Sequence, residues 1–200
     1  MKDAIKITSG IYRGRTLLSP RDSHTHPMGS RERLALMNTL GPDILTGAVV
    51  LDAFAGTGAL GLEALSRGAK SVVFVEQNPH AAHSIRRNLK FLKLINPDEQ
   101  TSETSPVKLV EQSVEGYCKA QIAAGSTGQF TLIIADPPYH QIAKKSLRPL
   151  LNLLAPGGYL ALSHPAGFDP TSVGNGEMPV ELISNKRYAA ANISILRKKC

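Results

Sequence analysis

The sequence predicts a doubly wound α/β fold with a mainly parallel sheet, and three observations support this prediction. First, residues 49–68, VVLDAFAGTGALGLEALSRG, join a buried strand, a glycine-rich turn and a helix of regularly spaced apolar residues. Second, further apolar runs alternate with segments of helical periodicity, at Ser71–Val75, Val107–Val110 and Phe130–Ala135. Third, two strand-like runs over 180–184 and 188–196 follow each other without a helix, so the last strands should turn antiparallel.

The first helix is predicted over 31–40, with Ser30 as its cap and with Gly41 and Pro42 at its end. Its inward face should consist of four apolar residues, Leu34, Leu36, Met37 and Leu40. The remaining elements are predicted as helices over 79–93, 114–122 and 146–154, a strand over 159–163 after a turn at 156–158, and a closing hairpin turn at 185–187.

The length of 200 residues predicts one domain, 1–200, in which a basic extension over 1–42 precedes a core over 43–200. The formal net charge is +7 and the isoelectric point is about 9.5. Residues 1–40 contain seven Lys or Arg against three acids, and residues 182–200 contain five against none. This uneven charge indicates a polyanionic partner such as a nucleic acid.

Composition disfavours several other classes of protein. Cys118 and Cys200 are too few and too scattered for a disulfide framework or a zinc site. Neither a signal core nor a membrane-spanning run is visible, so a cytoplasmic protein without a membrane partner is expected. His24 and His26 lie in a polar segment over 19–30 with no third ligand nearby, so no metal site is predicted.

The glycine-rich turn predicts a cofactor site. Gly56, Gly58 and Gly61 match the spacing of the dinucleotide fingerprint, and Glu76 follows Gly56 by 20 residues, where an acid can bind ribose hydroxyls. Four residues that begin with Asp52 separate the strand from the first glycine. A carboxylate there would repel a pyrophosphate but suits a cation. S-adenosylmethionine, with its ammonium and sulfonium groups, is such a ligand.

A second motif follows the strand Phe130–Ala135, which runs directly into Asp136, Pro137, Pro138 and Tyr139. Two prolines remove two N–H donors and stiffen the turn, which leaves a carboxylate and a carbonyl as acceptors. Such a turn can hold an exocyclic amine by its hydrogens while Tyr139 lies against the base.

Basic residues near the amino terminus are predicted to contact RNA. Residues 4–18 should form two short strands, and Tyr12, Arg13 and Arg15 mix an aromatic ring with guanidinium groups that suit bases and phosphates. Arg31 and Arg33 lie on the opening turn of the first helix. The charges of the 79–93 helix are instead expected to form a solvated face, at Arg86, Arg87, Lys90 and Lys93.

With these motifs placed, the chain resembles the RsmD family of 16S ribosomal RNA guanine-N2 methyltransferases over nearly its whole length. The resemblance rests on the basic opening at 10–15, the helix with Arg31, Arg33 and Asn38, the run over 51–69 that includes LEALSRGA, and the turn at 136–139. It implies the class I methyltransferase (Rossmann-like) fold, S-adenosylmethionine as cofactor, and the ribosomal RNA or a small-subunit assembly particle as partner of a monomeric enzyme.

The resemblance also implies roles for individual residues. The catalytic turn would consist of Asp136, Pro137, Pro138 and Tyr139, and the RNA contacts would be Arg13, Arg15, Arg31 and Arg33. Cofactor binding would fall to Asp52, Phe54, Ala55, Gly56, Thr57, Gly58, Glu76, Gln77 and Ser113. The chain departs from the usual family pattern at Met28, Ser30, Leu34, Ser113 and the pair Ser163 and His164. The family commonly has Glu at the place of Leu34, often has an acid at the place of Ser113, and has a Glu around the pair Ser163 and His164.

Three other functions remain open at this stage. A DNA or RNA amino-methyltransferase that acts on adenine or cytosine uses the same proline turn, although the Arg13 and Arg15 opening favours ribosomal RNA. A nicotinamide-dependent oxidoreductase is disfavoured by Asp52. An assembly factor without catalysis is disfavoured because Asp52, Glu76 and Asp136 are all present.

Overall fold

The computed structural model describes residues 5–19, 28–95, 105–139, 142, 144–188 and 192–199. The helices within these ranges are Ser30–Leu45 (α1), Ala59–Ser66 (α2), Pro79–Phe91 (α3), Val114–Ala123 (α4) and Lys144–Leu153 (α5), with a short 3-10 helix at Pro170–Val173. The strands are Ile5–Lys6 (β1), Thr16–Leu17 (β2), Val49–Ala53 (β3), Ser71–Val75 (β4), Val107–Val110 (β5), Phe130–Ala135 (β6), Leu154–His164 (β7), Val180–Arg187 (β8) and Asn192–Lys198 (β9). The predicted segment with Arg21, His24 and His26 lies outside the described residues.

Seven of the described strands form one sheet in the order β5-β4-β3-β6-β7-β9-β8. Strands β3 to β7 pair in parallel, and β9 pairs antiparallel with both β7 and β8. The prediction of a mainly parallel sheet with antiparallel strands at its end is therefore confirmed. The chain leaves β3 toward β4 and returns to the other side of β3 with β6, which makes the β3–β6 boundary a topological switch point.

Alternating side chains of the strands fill two cores on opposite faces of the sheet. On β6, Leu132 and Ile134 belong to the core shared with α1, α2 and α3, whereas Ile133 and Ala135 belong to the core shared with α4 and α5. This alternation explains why the parallel strands are continuous apolar runs, since both of their faces are covered.

The hairpin of β1 and β2 packs on the same face as α2 and α3, and buried polar groups fasten it there. The carboxylate of Glu63 on α2 accepts hydrogen bonds from the Thr8 backbone N–H at 2.7 Å and from the Thr8 hydroxyl at 3.0 Å. Arg33 on α1 reaches the same carboxylate at 3.3 Å and donates to the Lys6 carbonyl at 2.8 Å. The hairpin is thus held to the helix that follows the glycine-rich turn.

Helix α1 differs from the prediction in its ends and in its buried face. It begins at Ser30, so Gly29 stands at the cap position, and no side chain caps it. Gly41 has φ 66° and kinks the helix, which then continues for one short turn to Leu45 because Pro42 is well placed at the start of a new turn. Leu34 is 39% exposed, whereas Arg33 takes the neighbouring inward position.

Two predicted turns near the carboxyl end are wrong. Residues 156–158 lie within β7, where the register against β6 shifts between Phe130 and Leu132 and so accommodates an irregular stretch. Residues 185–187 lie within β8, because β8 pairs with β9 as far as Arg187. The predicted turn is therefore absent from residues 185–187.

Candidate functional site

The glycine-rich turn, residues 54–58, leaves the carboxyl end of β3 at the switch point. Phe54 has φ 63°, Gly56 has φ 56° and Gly58 has φ 76°, so three residues of this short turn adopt the left-handed conformation. Phe54 alone of these residues is not a glycine, so its left-handed conformation is strained, and such strain is found at functional sites more often than elsewhere. The turn is held to the neighbouring strand by the Ala55 N–H, which donates to the Val75 carbonyl at 3.0 Å.

The glycines of this turn serve different purposes. A Cβ on Gly58 would point into the core, 3.4 Å from Phe74 and from Ile85, and a Cβ on Gly56 would meet only the Phe54 carbonyl at 4.0 Å. Gly61 lets α2 lie close to the sheet, since a Cβ there would come within 2.4 Å of Phe74. Of these three glycines, only Gly56 has open space where a Cβ would stand.

Asp52 is buried at the end of β3. One of its carboxylate oxygens accepts a hydrogen bond, and the other has no hydrogen-bond partner among the described residues. Its Oδ2 accepts a hydrogen bond from the Gly61 N–H at 2.8 Å. Its Oδ1 is fully buried and has no hydrogen-bond partner among the described residues. Burial raises the pKa of Asp52 well above its ordinary value, the Gly61 hydrogen bond opposes this rise, and the charges of Asp136 and Glu76 add to it. An unpaired buried acceptor in this setting suits a cationic donor.

Glu76 follows β4 and holds the glycine-rich turn in place. Its Oε2 accepts from the Gly56 N–H and its Oε1 from the Asn78 N–H, each at 2.7 Å. Each carboxylate oxygen has a second lone pair, so two hydroxyl groups can still be bound there. The predicted neighbour Gln77 is exposed, and the predicted neighbour Ser113 caps α4, its hydroxyl accepting from the Gly116 N–H at 3.1 Å.

Asn88 on α3 is a site residue that the sequence analysis missed. It is fully buried, and its amide nitrogen donates to the Thr57 carbonyl and to the Leu18 carbonyl, each at 3.1 Å. Its oxygen accepts from the Leu18 N–H at 2.7 Å. Asn88 thus joins the glycine-rich turn to the end of the hairpin. The available signal was an amide between the inward residues Ile85 and Leu89.

The turn 136–139 lies directly beside the glycine-rich turn, because β6 pairs with β3 and Ala135 is opposite Ala53. Burial raises the pKa of Asp136, and a hydrogen bond from Ser163 opposes this rise. Tyr139 is 38% exposed, and its hydroxyl lies 3.2 Å from the Ser163 hydroxyl. Pro137 is buried and Pro138 is exposed. An acceptor pair and an aromatic ring therefore face the edge of the sheet where the other turn also opens.

Ser163 and His164, at the end of β7, are both buried. Ser163 links Asp136 with Tyr139 through its hydroxyl, which hydrogen-bonds both side chains. His164 instead points into the fold, where its Nε2 lies 2.9 Å from the Ser194 hydroxyl and its ring packs against Phe168 with centroids 5.4 Å apart. Ser163 is therefore part of the candidate site, and His164 is part of the packing behind it.

The four arginines predicted to contact RNA do not share one environment. Arg13 and Arg15 are exposed on the hairpin, and Arg31 is exposed on α1. Arg33 is only 1% exposed, and its guanidinium group is bound by Glu63, by the Lys6 carbonyl and more weakly by Met28 and Ser30. The prediction that Arg33 contacts RNA is therefore wrong, because its side chain is enclosed and already paired.

No helix among the described residues is long and apolar enough to cross a membrane.

Similarity to known proteins agrees with this geometry. The family described as "Conserved hypothetical protein 95" matches residues 5–196. The ribosomal RNA small subunit methyltransferase D of Escherichia coli K12 is 32% identical over 157 residues, which are 78% of this chain and 70% of that protein. The protein of the same name from Haemophilus influenzae is 32% identical over 139 residues, 70% of this chain and 66% of that protein.

Solved structures match the fold over nearly the whole chain. A structure of the Escherichia coli protein yhhF, provisionally named a methyltransferase, has a TM-score of 0.77 and 24% identity and covers 98% of this chain and 99% of its own. A hypothetical protein from Thermus thermophilus has a TM-score of 0.75 and 27% identity over 96% of this chain and 98% of its own. The chain therefore belongs to the family described as conserved hypothetical protein 95, the RsmD family that its two turns and its basic opening predict.

Proposed function

We propose that this chain is an S-adenosylmethionine-dependent methyltransferase that modifies the exocyclic N2 amine of a guanine in 16S ribosomal RNA. Residues 1–42 would form its RNA-binding extension and residues 43–200 its catalytic core. The observation that supports this most directly is the placement of Asp136, at the start of the turn 136–139, beside Asp52 at the switch point of the sheet. Two relatives named as ribosomal RNA small subunit methyltransferases support the RNA substrate.

The residues around the glycine-rich turn fit the proposed cofactor. The unpaired Oδ1 of Asp52 suits the ammonium group of the methionine portion. The free lone pairs of Glu76 suit the two ribose hydroxyls, and Gly56 leaves room beside them. Neighbouring contacts are assigned to Phe54, Ala55, Thr57, Gly58, Gln77 and Ser113. When bound, S-adenosylmethionine supplies an electrophilic methyl group on a positively charged sulfur, and S-adenosylhomocysteine is the product.

In the proposed reaction, the turn 136–139 orients the amine of the guanine. The nitrogen lone pair of guanine N2 is delocalised into the ring, so the amine is a weak nucleophile. The Asp136 carboxylate and the Pro137 carbonyl would each accept one of its hydrogens and so direct the lone pair toward the methyl group. Positioning of this kind is worth up to roughly 7–11 kcal/mol in the best intramolecular systems.

Asp136 is also suited to take the proton that the amine loses once the new C–N bond has formed. Burial raises its pKa, and a carboxylate with a raised pKa is a stronger base. Ser163 hydrogen-bonds this carboxylate, which restricts the direction of its remaining lone pairs. No covalent bond between the enzyme and the base is needed.

Tyr139 is proposed to stack on the guanine ring. Its ring is partly exposed, and its hydroxyl is held near Ser163, so the ring has a defined position at the mouth of the site. Base–aromatic stacking contributes about 1–3 kcal/mol per base. A guanine bound in this way has to be unpaired or turned out of its stack.

The test is transfer of labelled methyl groups to naked 16S ribosomal RNA and to small-subunit assembly particles, followed by mass spectrometry of the nucleosides. N2-methylguanosine in either substrate supports the proposal and shows which of the two is preferred. Methylated adenosine or cytidine would replace guanine as the target. Absence of transfer to both substrates, in a protein that binds S-adenosylhomocysteine, would overturn the proposal.

A further inference from the structure

Helix α3 and the hairpin form one surface. The C-terminal half of α3 lies against the hairpin, where Asn88 makes three hydrogen bonds, two of them to Leu18. At the end of the helix the Arg15 guanidinium lies 5.9 Å from the centroid of the Phe91 ring. We use the name hairpin–α3 surface for the exposed side chains of residues 5–19 and 77–95.

This surface has basic residues and no acidic ones. Residues 5–19 and 77–95 contain no Asp or Glu, and they contain seven Lys or Arg: Lys6, Arg13, Arg15, Arg86, Arg87, Lys90 and Lys93. Of these, Arg86 forms an ion pair with Glu111 of the neighbouring segment. A region that concentrates this much positive charge in a protein of net charge +7 is suited to a polyanion.

Phe91 is an exposed aromatic residue within this basic surface. It is 53% exposed, although a Phe side chain in water loses the free energy that burial would provide. Arg87 precedes it by four residues and therefore lies beside it on the same side of the helix. A partly exposed ring with one guanidinium group over it and another arginine one helical turn away is a combination suited to a base and its flanking phosphates in single-stranded RNA.

We propose that the hairpin–α3 surface binds an unpaired strand of the RNA substrate, with one base stacked on Phe91 and with phosphates held by Arg13, Arg15 and Arg87. This inference rests on the proposed function, since it assigns a second contact region to the same RNA. It also assigns an RNA contact to charges of α3 that the sequence analysis expected to be a solvated face. Asn88 joins this surface to Thr57, so the bound strand would lie close to the cofactor turn.

The absence of tryptophan from the sequence permits a direct test of stacking. A Phe91→Trp variant would contain a single tryptophan, and a single-stranded fragment of 16S ribosomal RNA should quench its fluorescence by stacking. Ile183→Trp is the matched control, because Ile183 is 48% exposed on β8, away from this surface. Quenching at position 91 and not at position 183 is the expected result. Equal quenching at both positions, or quenching at position 91 by polyglutamate but not by RNA, would overturn the inference.

Measurements of the RNA affinity and of its salt dependence distinguish the contribution of base stacking from that of phosphate contacts. Phe91→Ala should weaken RNA binding by about five- to a hundredfold, the range for loss of one base stacked on an aromatic ring, and should leave the salt slope unchanged. Arg15→Gln and Arg87→Gln should each reduce the slope of log K against log salt by roughly 0.7. Lys119→Gln is the control for charge, because Lys119 is exposed on α4 at the opposite face and should change neither quantity. Unchanged affinity in Phe91→Ala would overturn the inference.

Methyl transfer by the wild-type protein distinguishes the two proposals. If the wild-type protein methylates 16S ribosomal RNA while Phe91→Ala and Arg87→Gln bind RNA as it does, only the hairpin–α3 inference fails. If the wild-type protein transfers no methyl groups to RNA, the proposed function fails and this inference fails with it. S-adenosylhomocysteine binding, measured by calorimetry, should be the same in all of these surface variants and shows that each is folded.

Discussion

The hydroxyl of Tyr139 lies 3.2 Å from the hydroxyl of Ser163, and Ser163 in turn hydrogen-bonds the carboxylate of Asp136. The side chain proposed to stack on the base and the one proposed to bind its amine are thus connected through a residue of the next strand. With Asp136 ionised, the Ser163 O–H donates to the carboxylate and the Tyr139 O–H donates to Ser163.

Replacement of Ser163 by alanine should shift the pH dependence of methyl transfer. The Ser163 hydrogen bond lowers the pKa of Asp136 against the effect of burial, so its loss should raise that pKa further. Because the ionised carboxylate is the form that accepts the amine hydrogen, activity is lost as the pH falls through the pKa of Asp136. The acid limb of the single-turnover rate should therefore move to higher pH in Ser163→Ala. Ser163→Thr keeps the hydroxyl and should have the wild-type pH profile. If the acid limb stays in place in Ser163→Ala, the role assigned to the hydrogen bond between Ser163 and Asp136 is contradicted.

Asp136→Ala should separate catalysis from cofactor binding. Loss of a hydrogen bond to an ionised acceptor costs about 1.5–3 kcal/mol, which corresponds to about a ten- to hundredfold lower rate of transfer. The affinity for S-adenosylhomocysteine should change little, since Asp136 is assigned to the amine. Single-turnover transfer with saturating RNA and cofactor measures the rate. Asp43→Ala, at an exposed position of α1, is the control. A wild-type rate in Asp136→Ala would rule out the proposed part of this turn in the reaction.

Binding of S-adenosylhomocysteine should strengthen as the pH rises through the pKa of Asp52. Burial raises that pKa well above its ordinary value, and only the ionised carboxylate attracts the ammonium group of the ligand. Binding therefore favours the ionised form and should release protons in the range where free Asp52 is still partly protonated. Calorimetry in buffers of different ionisation enthalpy measures this release. Asp52→Asn can still accept from the Gly61 N–H but has no charge, so it should bind weakly and without this pH dependence. Tight, pH-dependent binding by Asp52→Asn would show that another group is responsible.

Much of the fold and part of the site were predictable because their signals are local in the sequence. Strands β4, β5 and β6 occur as predicted, since buried parallel strands are short apolar runs with clear ends. Asp52 and Asp136 lie at the carboxyl ends of such strands, so the sheet order alone brings them together. The continuation of α1 beyond Gly41 and the extension of β8 could not be predicted, because they depend on which strand or helix lies alongside.

The residues that were missed or misassigned have partners far away in the sequence. Arg33 and Leu34 are adjacent on α1, and periodicity does not decide between them when the buried side chain is a guanidinium group whose carboxylate partner, Glu63, lies 30 residues later. Asn88 likewise acts through Leu18, 70 residues earlier. Ser163 was recognised only as a departure from the family pattern. The role of a polar side chain inside a core can be assigned only when its hydrogen-bond partners are known.

The last prediction contrasts Arg33 with Arg31, two arginines of the same helix that were expected to act alike. Arg33 and Glu63 are both enclosed, at 1% and 0% side-chain exposure, and their ion pair is 3.3 Å long. Arg33→Ala removes one of the two cationic partners of the enclosed Glu63 carboxylate and leaves Arg67 at 3.5 Å, so it should lower the free energy of unfolding, by at most about 3–5 kcal/mol. Arg31 is exposed, so Arg31→Ala should change it by less than about 0.5 kcal/mol. Urea unfolding followed by circular dichroism measures both.

Since Glu63 also binds the hairpin through Thr8, Arg33→Ala should in addition loosen the hairpin, which hydrogen exchange at the Thr8 amide would detect. Equal stability of the two variants would contradict the structural part assigned to Arg33 and would return it to the RNA-facing surface.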